Sequence, residues 1–279
     1  MAPRFTLKQW VLSHLIAAGL LALAFYACTQ VLDNRLIITT LDVGQGDAIL
    51  IQTPEHKNIL IDAGPDATVV DRLGKHMGFF DKTIDFFVLT HPHADHFGGL
   101  PDILQKYQIK QALITGVAAS DPLYTEAIRT LKTQHIPIIF AEGGTDWQIG
   151  HGTVLDVLYP LAGQSLLGAK ADNLNNTSVA IRLISPDGKT ALLTGDAEKE
   201  EEREILLASL EMQADILKAG HHGSRTATSD IFLQAVRPDT VVISAGKDNT
   251  FGHPHAETLD RLKGLDVRQT VLEGDIVLW

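Results

Sequence analysis

Beyond residue 36 the chain alternates between short apolar runs and longer segments whose apolar residues have helical spacing. The short runs are rich in β-branched residues and are bounded by Gly, Pro, Asp or Asn, which is the pattern of strands. The predicted strands cover residues 37–43, 48–52, 58–63, 84–90, 111–115, 137–141, 154–158, 178–185, 190–195, 215–220 and 240–246. Helical spacing predicts helices over 121–134, 197–210 and 229–236, and residues 163–176 lack strong periodicity and are predicted as a loop.

The two halves of this region repeat one arrangement. Each half has hydrophobic strand pairs, then a strand that ends in metal-binding residue types, then a helix. The first half delivers residues 91–96 in this way, and the second delivers Asp196 and then the pair 221–222. Two packed sheets with helices outside would bring these strand ends to one edge, where α/β proteins generally place function.

An apolar segment over residues 11–27 precedes the strands and follows the basic residues Arg4 and Lys8. A bilayer core needs roughly 20 apolar residues as helix, and this run is slightly short unless polar neighbours are included. An uncleaved anchor, a secretory signal and a lipoprotein signal at Cys28 are the alternatives, and Phe25 and Tyr26 disfavour the last. The preceding basic residues predict an anchored or exported protein with its catalytic domain outside the cytoplasm. Residues 1–32 are assigned to this segment and residues 33–279 to one domain.

Composition limits the classes of partner. The chain has 279 residues, 45% of them hydrophobic, which is ample for a sizeable core. Its formal net charge of −11 argues against general electrostatic attraction to duplex DNA, so any attraction to a polyanion must be local, for example at bound dications. The acidic run over residues 198–204 is predicted to be a solvated helix face.

The clearest chemical signal is the sequence HPHADH, which follows a predicted buried strand. It places four ligand-type side chains, His91, His93, Asp95 and His96, within six residues. Imidazole nitrogen and carboxylate oxygen together suit zinc, manganese or iron. In a loop, the first two side chains can project to one metal while the last two turn toward a neighbouring one.

HPHADH resembles the HxHxDH signature of the metallo-β-lactamase superfamily. IDAG (61–64) resembles its upstream aspartate motif, and LTGD (193–196) resembles the strand that bears its bridging aspartate. Four further motifs are similar to the hydrolase domain of the ComEC competence-protein family and its free-standing relatives: LDVGQGDA (41–48), NNTS (175–178), LKAGHHGS (217–224) and NTFGHPH (249–255). The resemblance extends from Leu36 to Trp279.

This resemblance implies an α/β fold, the four-layer αβ/βα sandwich of two mixed sheets with outer helices, with two divalent metal ions in a cleft at its edge. It assigns His91 and His93 to the first metal, Asp95, His96 and His222 to the second, and Asp196 to a bridge between them. His221 then contacts substrate or orients water, although the reverse assignment of the two adjacent histidines stays open. Asp95 and His221 are also counted as catalytic.

One departure from the superfamily pattern concerns the metal. Many members supply a further histidine to the first metal, and Asn176 appears at that place here, as in the ComEC-like branch. An amide oxygen is a weak, hard ligand, which shifts the preference from zinc toward manganese and leaves both open.

The resemblance also suggests residues around the metals and substrate. His253 would protonate a leaving oxygen. Lys218 and Ser224 flank the histidine pair and could bind phosphate, although an exposed lysine is usually just a solvated charge. Asn249 lies in the same motif as His253. Asp62 either orients a liganding histidine or is simply a turn aspartate before a glycine.

The predicted function is a metal-dependent phosphodiesterase or nuclease that acts on DNA outside the cytoplasm, with single-stranded DNA favoured by the acidic balance. The predicted partners are the membrane, through the N-terminal segment, and DNA-uptake machinery. Two alternatives remain: a hydrolase of a small ester, lactone or lactam, and an inactive, metal-free binding module.

Overall fold

The computed structural model describes residues 6–31 and 35–279, which form two separate units, Met1–Arg35 and Leu36–Trp279. The described part of the first unit is essentially one helix, α1 (Leu7–Val31). By length and composition its segment Leu7–Ala24 could cross a membrane, a test that a signal sequence near the N-terminus also passes. Arg4 and the predicted boundary between residues 32 and 33 lie outside the described residues.

The second unit contains two seven-stranded sheets and a two-stranded sheet. Its strands are β1 (Ile37–Thr40), β2 (Ile49–Gln52), β3 (Asn58–Ile61), β4 (Thr83–Ile84), β5 (Phe86–Leu89), β6 (Gln108–Ile109), β7 (Ala112–Ile114), β8 (Ile138–Phe140), β9 (Asp146–Ile149), β10 (Thr153–Tyr159), β11 (Ala180–Ile184), β12 (Thr190–Leu193), β13 (Ile216–Lys218), β14 (Thr240–Ile243), β15 (Asp266–Gln269) and β16 (Ile276–Leu278). Its helices are α2 (Thr68–His76), α3 (Ala94–Phe97), α4 (Leu100–Lys106), α5 (Pro122–Thr133), α6 (Lys199–Leu207), α7 (Asp230–Val236), α8 (Ala256–Arg261) and α9 (Thr270–Glu273), with short 3₁₀ turns at Asn175–Thr177 and Gly220–Gly223.

The two large sheets share one plan. The first has the order β16-β1-β2-β3-β5-β7-β8, antiparallel from β16 to β3 and parallel from β3 to β8. The second has the order β9-β10-β11-β12-β13-β14-β15, antiparallel as far as β12 and parallel beyond it. Both sheets are therefore mixed, as predicted, and the repeat between the two halves extends to strand direction.

Three hydrophobic clusters show how the layers pack. Along β5, Phe86 and Val88 belong to the cluster between the sheets, whereas Phe87 and Leu89 belong to the cluster beneath helices α2, α4 and α5. Alternation of this kind is what a strand buried on both faces requires. A third cluster packs α6 and α7 on the outer face of the second sheet. The predicted four-layer sandwich is confirmed.

The predicted strands correspond to observed strands, and the strands that were not predicted lie at sheet edges. These are β6, β9, β15 and β16, of which β16 brings the C-terminus back to β1 in the first sheet. An edge strand is paired on one side only, so it can be short and polar and lacks the apolar run that marks a buried strand. The helices that were not predicted are α2, α3, α4, α8 and α9.

The acidic run is only partly the solvated face that its charge indicated: Lys199, Glu200, Arg203 and Glu204 are exposed, but two carboxyl groups between them are buried. Glu201 and Glu202 are each only 1% exposed. Glu201 accepts a hydrogen bond from the Ser178 backbone N–H at 3.1 Å, and Glu202 accepts from the backbone N–H groups of Thr228 and Ser229. These carboxyl groups therefore hold the loops that surround the site described below.

Glu201→Gln tests this burial through its dependence on pH. Burial raises the pKa of Glu201 well above its usual range. A raised carboxyl pKa stabilises the fold fully below the unfolded value, and that stability is lost as pH rises through the folded value. As pH rises from about 4, the unsubstituted protein should lose stability that Glu201→Gln keeps. The difference in the free energy of unfolding should therefore shift in favour of the variant by more than about 1 kcal/mol.

Denaturant unfolding at a series of pH values measures this difference. The exposed neighbour Glu200 provides the control, and Glu200→Gln should leave the pH profile unchanged. Parallel pH profiles for Glu201→Gln and the unsubstituted protein would contradict the prediction.

Candidate metal centre

The candidate ligands converge on one edge of the two sheets. HPHADH follows β5, Asp196 follows β12, and His221 and His222 follow β13. Both of these histidines adopt left-handed backbone conformations, with φ of 45° and 53°, and so does Asp62 at 60°. Such strain costs of order 1–3 kcal/mol per residue and persists where the surrounding structure fixes it, often at functional sites.

A single oxygen of Asp196 lies at the centre of the cluster. Its Oδ2 is 3.3 Å from Nε2 of His96 and 3.3 Å from Nε2 of His222. The Nε2 atoms of His221 and His91 lie at 3.9 and 4.0 Å from the same oxygen. Asp196 is 1% exposed, so this charge is held away from water.

Buried carboxylates orient the two nearest histidines from behind. Asp62 Oδ2 lies 2.7 Å from Nδ1 of His96, and Asp47 Oδ1 lies 3.3 Å from Nδ1 of His222, which also donates to the Ser244 carbonyl at 3.0 Å. Hydrogen bonds on Nδ1 leave Nε2 as the coordinating nitrogen, which is the usual arrangement behind a metal-binding imidazole. Asp62 therefore takes the orienting position and not a simple turn role.

The residues present fit a divalent cation. In the described part of the chain, the buried Nε2 atoms of His96 and His222 have no hydrogen-bond partner. Asp95 Oδ2 lies 3.3 Å from Nε2 of His222, and the ligand atoms of Asp95, His96, Asp196 and His222 all lie within 4.8 Å of one another. Unpaired buried nitrogens facing carboxylate oxygens form the donor set of a metal site.

The electrostatics of the cluster also favour a cation. Burial alone would lower the pKa of His96, but Asp196, Asp62 and Asp95 raise it well above its usual range. Burial likewise opposes protonation of His222, and Asp196 and Asp47 raise its pKa well above the usual range. The negative potential that holds these protons would attract a dication in their place.

His91 and His93 form a second set beside Asp196. Nε2 of His91 lies 3.0 Å from Nδ1 of His93, and the two rings meet edge to face. On its other side, Nδ1 of His91 contacts the hydroxyls of Thr90 and Ser178 at 3.1 and 3.3 Å. Burial lowers the pKa of His91 well below its usual range, which keeps this imidazole neutral and able to coordinate.

The amide at the site belongs to Asn175, whereas the sequence indicated Asn176. Asn176 turns outward, where its Oδ1 accepts from the Glu198 backbone N–H at 3.0 Å and its Nδ2 donates to Glu200. Asn175 Nδ2 donates to Glu198 Oε1 at 3.3 Å and lies 3.3 Å from Nδ1 of His221, and its buried Oδ1 has no partner among the described residues. Adjacent asparagines look equivalent in sequence, and the 3₁₀ turn Asn175–Thr177 decides which of them faces inward.

His221 and His253 lie at the border of the cleft and not at its centre. Nδ1 of His221 lies 2.9 Å from Glu198 Oε1, which also accepts from Thr226 at 2.9 Å. The ring of His253 meets that of His221 edge to face, with 5.2 Å between centroids, and its buried Nδ1 has no partner in the described chain. Burial, with His221, His222 and His255 nearby, lowers the pKa of His253 to about 4.

Lys218 lies beneath the centre and does not face the cleft, although the sequence indicated a phosphate-binding residue. It is 1% exposed; its Nζ pairs with Asp47, donates to the Gly195 carbonyl at 2.9 Å, and lies 3.5 Å from Asp196 Oδ1. Burial would raise the pKa of Asp47, but Lys218 and His222 lower it to about 2. Lys218 thus holds Asp196 Oδ1 on one side while Oδ2 faces the histidines.

Two further residues taken from the motifs brace loops. Ser224 is buried, and its hydroxyl pairs with that of Thr226 at 2.9 Å, so it is not placed to meet a phosphate. Asn249 accepts from the His253 backbone N–H and donates to the carbonyls of Gly246 and His253. Asn249 therefore shapes the loop that carries His253.

The cleft above these residues has a volume of about 290 Å³. It is lined by Gln45, His93, Ala94, Asp95, Asn175, Asp196, His221, His222, Phe251 and His253. Such a cavity beside convergent polar groups is where substrate binding is expected.

Comparison with known proteins identifies the family. A family model described as the metallo-beta-lactamase superfamily matches residues 41–247. The chain belongs to this superfamily. The structure is similar to the metallo-beta-lactamase fold protein YhfI from Bacillus subtilis, with a TM-score of 0.55, 14% identity, and coverage of 87% of this chain and 99% of that one. Membership makes this protein a metal-dependent hydrolase with a candidate metal site.

Curated relatives of this chain include competence proteins, as the motifs indicated. It is 29% identical to ComE operon protein 3 of Bacillus subtilis over 94% of this chain and 35% of that protein. It is 27% identical to Competence protein ComA of Neisseria gonorrhoeae over 96% of this chain and 35% of that protein. The chain thus spans about a third of the length of these relatives.

Sequence reasoning missed three residues of this metallo-β-lactamase site. Asp47 lies in LDVGQGDA, a motif of the resemblance in which the aspartate was given no role. Asn175 was passed over for its neighbour, and Glu198 was counted in a solvated run. A usable signal existed for Asp47, because a metal-binding histidine commonly donates its second ring N–H to a carboxylate, and this aspartate lies in one of the family motifs.

Asp62→Asn should lower metal affinity about 10–100-fold without unfolding the domain. The amide has one oxygen, so it cannot replace both carboxylate oxygens that accept from Thr90 and His96. Competition with a chromogenic chelator measures the affinity. Asp71→Asn, an exposed substitution in α2, is the matched control and should bind metal normally. Equal affinities for both variants would rule out the orienting role.

Lys218→Met should destabilise the metal-free protein by about 3–5 kcal/mol, since it removes the buried ammonium group that pairs with the carboxylates of Asp47 and Asp196. Adding Asp47→Asn should recover part of this loss. The control is Lys57→Met, which removes a half-exposed pair with Asp85 and should cost no more than about 1 kcal/mol. Chemical denaturation in a chelator makes the comparison, and similar losses for both lysines would refute the prediction.

Proposed function

We propose that this chain is a phosphodiesterase that cleaves DNA outside the cytoplasm, using two divalent cations, zinc or manganese, that share Asp196. The observation that carries the proposal is the position of Asp196 Oδ2, which lies 4.0 Å from Nε2 of His91 and 3.3 Å from Nε2 of both His96 and His222. Two ligand sets around one carboxylate oxygen suit a bridged pair of cations.

The ligands divide between the two cations as follows. His91, His93 and the Asn175 amide oxygen would hold one, and Asp95, His96 and His222 the other. His222 is favoured over His221 because its Nε2 is nearer to Asp196 Oδ2, at 3.3 Å against 3.9 Å. Bound cations would supply Lewis acidity, which lowers the pKa of water and stabilises charge on phosphoryl oxygens.

The remaining residues of the cleft act on substrate and protons. Glu198 accepts a hydrogen bond from His221 Nδ1, so Nε2 of His221 points toward the centre and can receive a proton from an attacking water. His253 lines the cleft, and an N–H on its imidazole can donate to the leaving oxygen. The described chain places no serine or cysteine in the lining of the cleft, so the nucleophile is assigned to water.

The choice of DNA rests on the relatives and on α1. One relative is named a competence protein, and this chain matches it over 96% of its own length. A helix long and apolar enough to cross a membrane precedes the catalytic unit, which is consistent with anchoring beside DNA-uptake machinery. The acidic balance favours single strands, because duplex binding usually depends on broad positive charge.

The test is cleavage of labelled single-stranded and duplex DNA by the full chain, with manganese and with zinc. We expect single strands to be cleaved faster than duplex. Asp196→Asn should lower the rate at least about 100-fold, because losing a residue that only supports a metal ligand already costs up to about 100-fold. Asp172→Asn, an exposed change in the loop before Asn175, should retain the activity.

Intact DNA under all metal conditions would refute the proposal. A parallel panel of chromogenic phosphodiester, lactone and β-lactam substrates would then identify the bond that the site does hydrolyse.

A further inference from the structure

Phe251 is an aromatic side chain left exposed at the mouth of the metal cleft. It is 62% exposed, yet it lines the cleft together with His221 and His253. Its ring lies nearly parallel to that of His253, at 22° with 5.7 Å between centroids, and His253 in turn contacts the ring of His221. Aromatic faces therefore continue outward from the metal centre to solvent.

The loop that carries Phe251 is held in place. Asn249 donates to the carbonyls of Gly246 and His253 at 2.7 Å each and accepts from the His253 backbone N–H at 2.9 Å. These three bonds close the loop around Phe251. A braced loop presents its aromatic ring at little ordering cost, which is the requirement for a preorganised binding surface.

The cleft offers little positive charge of its own for a polyanion. Among the described residues that line it there is no lysine or arginine, and the chain carries a net charge of −11. A nucleic acid at this site must gain affinity from the cations and from contacts other than phosphate pairing. Stacking of bases on aromatic rings is such a contact, and only unpaired bases expose their faces fully.

We propose that Phe251 is a stacking platform for a nucleobase of single-stranded DNA beside the phosphodiester to be cleaved. The proposal rests on the proposed function for the identity of the substrate. It adds the feature that selects single strands over duplex, and it assigns that selection to an uncharged residue outside the metal ligands.

Stacking on one aromatic side chain contributes about 1–3 kcal/mol per base, so its loss should weaken binding roughly 5- to 150-fold. We expect Phe251→Ala to weaken the binding of a fluorescein-labelled (dT)12 oligonucleotide by about tenfold or more, and Phe251→Trp to retain it. Anisotropy titrations of the full chain with Ca²⁺ measure binding without depending on cleavage. In Mn²⁺, Phe251→Ala should raise KM for single strands by a similar factor with little change in kcat, because stacking stabilises the bound substrate and the transition state equally.

Two controls separate stacking from other effects. An abasic oligonucleotide of the same length keeps the phosphates and removes the bases, so Phe251→Ala should not weaken its binding. Phe80→Ala removes another exposed phenylalanine, located before β4 at the opposite end of β5 from the site, and should bind (dT)12 normally.

The outcomes distinguish the two proposals. Equal binding of (dT)12 by Phe251→Ala and the unsubstituted chain, or no measurable binding by the latter, would overturn the stacking platform. Equal losses on (dT)12 and on the abasic strand would overturn it as well. Binding that depends on Phe251 without any hydrolysis would leave the platform standing and refute the phosphodiesterase.

Discussion

The site depends on keeping the negative charge of Asp196 buried. Taking a carboxylate out of water is costly unless opposite charge or hydrogen bonds compensate, and Asp196 is 1% exposed. Its two oxygens are compensated differently: Lys218 lies beside Oδ1, and the Nε2 atoms of His96 and His222 face Oδ2. The side that faces imidazole nitrogens is the side where cations fit.

The two-sheet architecture makes this convergence possible. HPHADH comes from the end of a strand in one sheet, and Asp196 and His222 follow strands of the other. Packing at this junction is close enough that a side chain on Gly46 would collide with the backbone of Asp95. The same approach brings Asp47, which follows that glycine, behind His222. The first sheet thus supplies candidate ligands and both orienting carboxylates, Asp47 and Asp62, and the second sheet supplies the candidate ligands Asp196 and His222.

Buried charge also links stability to function in this protein. Lys218 and Asp47 are paired beneath the centre, and Glu201 and Glu202 are buried in the adjoining helix α6. A hydrophobic core of the same volume would often be at least as stable, so stability alone does not account for such groups. Their positions account for them: one set fixes Asp196, and the other accepts hydrogen bonds from backbone N–H groups of the loops that carry the site.

The sequence by itself determined what depends on local pattern. Strands such as β5 were predicted because they are short apolar runs bounded by turn-forming residues, and HPHADH was recognised because its four ligand types lie within one short loop. Only the tertiary structure decided which of two adjacent asparagines faces the cleft, that Lys218 is buried against Asp47, and that Phe251 lies at the cleft mouth. The pairing of the edge strand β16 was also decided only by the tertiary structure, since its partner β1 lies at the other end of the domain's sequence. Local periodicity fixes which face of an element is apolar, but the environment of a polar side chain is set by residues far away in sequence, and no local pattern encodes that.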